Sequence, residues 1–362
     1  MRLLLSLLLL TFLLTSNAQK TTKTENVILI TFDGYRWQEL FDGAQKKLIN
    51  TRQVGDKAML EKRFWAETEQ ERRNKLMPFF WNTIAREGII LGNRNYGCKV
   101  DITNPHRFSY PGYNEIFSGY GNPKVNSNDY PDNPNLTIFD YLNEDSVFKN
   151  SIAAFATWDA FPRIINTHRN KIPVFVNFKQ DDKGAVTCNG VTCAVWSTQV
   201  PYTNPFVQTD TMTYHFAKEY LQKNHPHFAF IGFDETDGFA HEGHYDWYLN
   251  AANMLDAYVK DLWNFVQSDP QYKNKTTIII TADHGRGTAG KSMWHHHGPL
   301  VATAGHIWLA AIGPDTPALG EVKNKTQYSQ NQIAGTIAKL LGKEFYKSKK
   351  IGAPIPELTS GK

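Results

Sequence analysis

Asn26-Val27-Ile28-Leu29-Ile30-Thr31-Phe32-Asp33 is the stretch that decides the fold. Most of its first seven residues are apolar or β-branched, which favours a strand, and the run stops at a carboxylate. An apolar strand without alternation is what a sheet covered on both faces requires, as parallel sheets are. The same pattern recurs along the chain. Residues 151–157 (SIAAFAT) end near Trp158-Asp159, and residues 227–233 (HFAFIGF) run into Asp234 and Asp237. Residues 276–282 (TTIIITA) end at Asp283-His284, and residues 306–312 (HIWLAAI) at Gly313-Pro314. Helical patterns lie between them at 77–87, 137–143, 211–223, 245–267 and 330–341. In the longest, Leu255, Val259, Leu262 and Val266 share one face. Strands alternating with helices predict an open α/β sheet. Residues 42–76 and 160–210 break the alternation and are expected to leave the core, the second as a small cap over the site.

The chain has 362 residues, 41% hydrophobic and 13% aromatic, which excludes a disordered polymer and permits one large domain or two ordinary ones. Its 39 basic and 35 acidic residues are mixed along the sequence, so no nucleic-acid-binding footprint is present. Met1-Arg2, an apolar run over 3–14, and small residues at Ser16 and Ala18 predict a signal peptide over 1–18. That run is too short to span a bilayer of about 30 Å, and no membrane span is expected after cleavage. Residues 19–362 then form one exported domain, periplasmic or secreted, in an oxidising compartment. Cys188 and Cys193, flanking the turn signal Asn189-Gly190, are expected to pair, leaving Cys98 free and buried.

Open α/β sheets bind ligands beyond the carboxyl ends of their strands. Asp33, Asp237 and the Asp283-His284 pair all fall there. Asp237 and His241 lie on one face if their segment is helical, with His244 as a competitor for His241. One of His295, His296 and His297 is a further ligand candidate. Of 12 histidines, seven fall between 241 and 306. Carboxylate with imidazole suits zinc-like ions, and the count is enough for two metals. Ser109 is the nucleophile candidate: Pro111 fits the first turn of a helix running to about Ser118, with Gly119 near its end. Unpaired N–H groups at that helix start favour an anion. The alternative for Ser109 is a plain N-cap.

Together, ILITFDGYR, FSYPGYNEIFSG, DETDGFAH, TADHG and HHHGP resemble the alkaline phosphatase superfamily, closest to its type I phosphodiesterase/nucleotide pyrophosphatase branch. The resemblance implies a three-layer α/β/α fold with a mostly parallel central sheet, and an exported hydrolase of small phosphate esters using two Zn2+ ions. It implies that Asp33, Asp283 and His284 hold one ion with Ser109 beside it, and that Asp237, His241 and His297 hold the other. Asn128 resembles the family's phosphoryl-oxygen-binding Asn, with Asn126 close by. The nucleophile is Ser where this branch usually has Thr. The Lys-x-Arg clamp of the monoesterases is missing from 157–163, although Arg163, Arg286 or Lys291 are candidates to replace it; its absence favours diesters. Ser109-x-Pro111-x-Tyr113 is similar to a sulfatase motif, but Tyr113 stands where sulfatase maturation needs Arg. A sulfatase-like enzyme is therefore one alternative. A non-catalytic binding protein using the aromatic segments WDAFP and HYDWYLN is another.

Overall fold

A computed structural model describes residues 23–176, 210–288, 290, 293–346, 348 and 350–360, plus the backbone of three short strands between 179 and 193. The expected signal peptide lies outside the described residues, and so do the side chains of Cys188 and Cys193.

The main sheet has eight strands, β1 (Asn26–Phe32), β2 (Ile89–Leu91), β3 (Ile152–Ala156), β4 (Val174–Phe175), β5 (Phe228–Phe233), β6 (Thr276–Thr281), β7 (Leu309–Ile312) and β8 (Gly320–Glu321). Their spatial order is β8-β2-β7-β6-β1-β5-β3-β4, and only β7 pairs antiparallel to its neighbours. The central strand β1 is buried along its whole length between β6 and β5, as its unbroken apolar run predicts. Burying each such Ile or Leu contributes about 1.5–3 kcal/mol. Helices α1 (Ser109–Ser118), α2 (Asp210–Asn224), α3 (Glu235–Glu242), α4 (Tyr245–Ser268) and α5 (Ile333–Leu340) flank the sheet. The stripe Leu255, Val259, Leu262 and Val266 of α4 is buried as expected. The result is a mixed α/β domain built on a large, mostly parallel sheet. Among the described residues no helix is long and apolar enough to cross a membrane.

Several expectations are corrected. The run 306–312 is not one strand: His306–Ile307 joins a side sheet with Cys98–Asp101, and β7 enters the main sheet after Trp308. Trp308 separates them because its ring is buried and its Nε1 donates to the Tyr35 carbonyl (3.0 Å). Residues 42–76 do not leave the core. They form helices Lys46–Ile49, Lys57–Phe64 and Glu69–Leu76, which bury Leu48, Ile49, Leu60, Phe64 and Leu76 under polar outer faces. The helix expected over 77–87 winds partly as a π-helix, Phe80–Ile84, and that over 330–341 opens as the 3-10 turn Gln330–Gln332. The first part of the expected cap, 161–175, belongs to the core instead: Phe161 packs on Tyr113 and Phe230, and β4 extends the main sheet. Farther on, Val186–Cys188 pairs antiparallel with Val191–Cys193, either side of Asn189-Gly190.

Candidate metal centre

Register brings the acids together. Thr31 aligns with Thr281 and Phe32 with Phe233, so Asp33, Asp234 and Asp283 emerge at one edge of the sheet. There Asp33, Asp283 and His284 form one compact group, and Asp237, His284 and His297 a second, their ligand atoms within 4.8 Å of one another in each. His284 Nε2 stands 3.4 Å from Asp33, 3.6 Å from Asp283 and 3.7 Å from Asp237. His241, one turn after Asp237 on α3, completes the second group: its Nε2 is 3.0 Å from Asp237 Oδ2 and 2.9 Å from His297 Nε2.

The competing histidines are elsewhere. His244 stacks on Trp247, and His295 packs on Trp294. His296 is exposed. His297 is therefore the member of the triple that reaches the site.

Ser109 is not the N-cap of α1; Phe108 holds that position, and Ser109 is the first helical residue. Its hydroxyl is thus free to lie 3.3 Å from His284 Nε2. Helix α1 is buried along its whole length, and Gly112 lets it approach the Asp283 main chain closely. Asn128 sits at the same helix start, its Oδ1 accepting from the Tyr110 N–H (3.0 Å), which leaves its NH2 to donate elsewhere. Asn128 is thereby tied to the turn that carries Ser109. Of the proposed clamp substitutes, Arg163 donates to the Tyr130 carbonyl, and the Lys291 side chain lies outside the described residues.

Electrostatics separates the two groups. Burial, reinforced by the Asp237 charge, pushes the Asp33 carboxyl well above its usual range. Burial and Asp33 do the same to Asp283. Asp237 is opposite: burial opposes its charge, but the Arg286 guanidinium, then His241, hold it well below the usual range. His297 is pushed down to about 2 by burial and then by His284, so it is a neutral imidazole able to donate a lone pair. Asp33 Oδ1 and Asp283 Oδ2 are buried without a hydrogen-bond partner. Two orphaned carboxylate oxygens beside a buried imidazole are costly unless a cation joins them, and N/O donors of this kind fit zinc. The residues present therefore fit two metal ions.

Two contributors were not assigned roles from sequence, and a third, Arg286, was offered only as a clamp substitute. Tyr113 donates its hydroxyl to Asp33 Oδ2 (3.0 Å), Thr236 Oγ1 donates to the Asp33 carbonyl (2.6 Å), and Arg286 holds Asp237. Arg286 follows Asp283-His284-Gly285 directly, and that adjacency was the available signal.

The sequence model of the Metalloenzyme superfamily matches residues 191–344, the part carrying α3, the Asp283-His284 pair and His297. The fold is similar to that of a mutant of the alkaline phosphatase PafA (TM-score 0.61, 14% identity, covering 95% of this chain and 100% of that one). The family match spans less than half of the chain, and the structural likeness shows that the fold is alkaline phosphatase-like. Its fold is also similar to BT1596, a 2-O GAG sulfatase (0.58, 15% identity, 94% of this chain and 75% of that one). Murine ectonucleotide pyrophosphatase/phosphodiesterase 5, in an inactive form with AMP, is a third similar structure (0.56, 12% identity, 90% and 97%). A search of curated proteins by sequence finds no match.

Proposed function

We propose that this protein is an exported hydrolase of small phosphoric esters, with diesters preferred, using Ser109 as nucleophile and two zinc ions. The observation that carries the reading is the placement of the Ser109 hydroxyl at the start of a buried helix, 3.3 Å from His284, the residue that two candidate ligand groups share. Asp33, Asp283 and His284 would hold one ion, and Asp237, His241 and His297 the other. Zinc in those groups would supply Lewis acidity, favouring the ionised serine and offsetting charge on the attacked ester.

The chain's own residues do the rest. Ser109 Oγ attacks phosphorus, the P–O bond to the alcohol breaks, and the alcohol leaves with a proton. The phosphoseryl ester is then hydrolysed by water, releasing phosphate or its monoester and restoring the hydroxyl. The Ser109 N–H and the Asn128 NH2 would face the non-bridging oxygens, a preorganised pair of donors that needs no reorientation as charge develops; the Tyr110 and Gly112 N–H groups are already bonded and Pro111 has none. The diester preference rests on the missing clamp, since a dianionic monoester has more charge to neutralise than a diester. The pyrophosphatase/phosphodiesterase among the structural neighbours is consistent with that preference.

The test compares rates on an aryl phosphate diester, an aryl phosphate monoester and an aryl sulfate, with zinc content by elemental analysis. Ser109→Ala is expected to abolish turnover while zinc stays near two per chain. Full activity in that variant, or faster turnover of the sulfate, overturns the reading.

A further inference from the structure

Arg286 is a charge in the site that the proposed reaction does not use. Its side chain is 0% exposed. It donates to Asp237 Oδ1, to the Asp237 carbonyl (3.0 Å) and to the His295 carbonyl. Its Nε is buried without a partner and faces Gly34, where a Cβ would lie 2.9 Å away. A guanidinium does not give up its proton in a protein, so this charge is permanent.

The ligand spacing has ties besides Arg286, which itself links the Asp237 and His295 carbonyls. Asp237 and His241 are set by one turn of α3, whose start is held by the Thr236–Asp33 bond. The His297 loop is tied separately, by the Gly298 N–H donating to the Arg107 carbonyl (2.9 Å). What Arg286 adds beyond those ties is charge, in direct contact with Asp237 and only at longer range with Asp33. Asp33 and Asp283 accept from the Tyr113 hydroxyl and the Gly34 N–H, both neutral, and each keeps an orphaned oxygen. The other group has a single carboxylate, already bonded to a cation, and two imidazoles, of which His241 is 46% exposed.

We propose that Arg286 is a resident cation at Asp237 that keeps the second metal group assembled when empty and makes its ion the weaker and more exchangeable one. This rests on the two-metal reading. The Asp33/Asp283/His284 group fills first, and the Asp237/His241/His297 group fills second. A unit charge roughly 5 Å from a divalent ion weakens its binding about tenfold even with the screening of bulk water.

The experiment is calorimetric titration of zinc into the full chain after chelator treatment, with the melting temperature of the stripped protein as second readout. Wild type is expected to bind in two steps, the second at least about tenfold weaker. In Arg286→Met the second step tightens about tenfold and the first is unchanged, while the stripped protein melts lower because Asp237 has lost its cation. Arg286→Lys keeps the second step weak. Arg286→Gln retains a donor without the charge and is expected to follow the Met variant, so it carries the test if Met does not fold. A second step in the Met or Gln variant that is unchanged or weaker overturns the proposal. A wild-type chain that binds no zinc overturns the two-metal reading, and the proposal with it.

Discussion

Gly112→Ala isolates the contact that sets Ser109, the proposed nucleophile, against the candidate metal ligands. A Cβ at Gly112 would stand 2.5 Å from the Asp283 carbonyl oxygen and 3.1 Å from its carbon, where ordinary contact begins at 3.4 Å. The difference, 3.4 − 2.5 = 0.9 Å, has to be absorbed by backbone on one side or the other. Neither side gives easily. Helix α1 is buried along all ten residues, and the Asp283 carbonyl is held by Gln330 Nε2 at 2.7 Å. Overpacking of this kind costs about 1–3 kcal/mol of stability. The larger effect is on rate. Ser109 lies one turn before Gly112, so a shift of α1 away from Asp283 carries the hydroxyl away from His284. A misplacement near 1 Å costs about 100-fold. The assay is kcat on an aryl phosphate diester at saturating zinc and substrate, with zinc content and melting temperature measured in parallel. The expected result is kcat down about 100-fold with zinc content unchanged. Gly238→Ala is the control, because a Cβ there meets nothing within 4 Å; replacing this helical glycine stabilises α3 by up to about 1 kcal/mol and leaves kcat alone. A Gly112→Ala enzyme with wild-type kcat, or an equal loss in Gly238→Ala, refutes the reasoning.

Two further outcomes follow from the structure. Gly34 has φ +59°, and a Cβ on it would meet Asp237 Oδ1 at 2.6 Å and His284 Cε1 at 3.2 Å. Gly34→Ala is therefore expected to lower zinc content below wild type, and elemental analysis showing an unchanged content contradicts this. Asp256 is buried and accepts from the N–H groups of Phe79 (2.8 Å) and Phe80 (3.0 Å); burial nevertheless pushes its pKa up to about 7. A raised acid keeps its proton in the native state while the unfolded chain loses it, so its contribution is full below about pH 4 and fades as pH rises towards 7. The loss is on the order of 4 kcal/mol. Asp256→Asn is expected to flatten the fall in denaturant-measured stability over that window, and parallel curves for the two proteins argue against it.

What was legible in the sequence was local. Strand ends, a four-residue helical spacing and a proline in a first helical turn are properties of neighbouring residues. They placed Asp33, Asp283, His284, Asp237, His241 and Ser109 without any knowledge of packing. His297 rather than His295 or His296 came only through family resemblance, and the structure gives the reason: Trp294 anchors the start of that turn in the core. The misjudged segment 42–76 fails for a related cause. Its helices bury only one or two residues each, too few for a periodic signal, and their stability comes from partners far along the chain. Trp308 shows the same limit, since only the distant Tyr35 carbonyl explains why one apolar run divides between two sheets.

The same division between local and distant contacts separates ligand identity from ligand strength. Which side chains meet at the sheet edge follows from strand register, and each of those residues announces itself by type. How strongly the two groups attract cations depends on what else touches them. Tyr113, Gly34 and Arg286 come from three different segments, and their residue types are ordinary away from this site. Two carboxylates bonded to neutral donors and one bonded to a guanidinium make two sites of unequal charge from a nearly symmetric set of Asp and His residues. An asymmetric pair would suit the proposed chemistry: Asp33, Asp283 and His284 would hold their ion firmly near Ser109, and Asp237, His241 and His297 would hold theirs more loosely. If zinc titration instead finds two equal sites, the proposed asymmetry does not exist, and the charge on Arg286 does not set the order of filling.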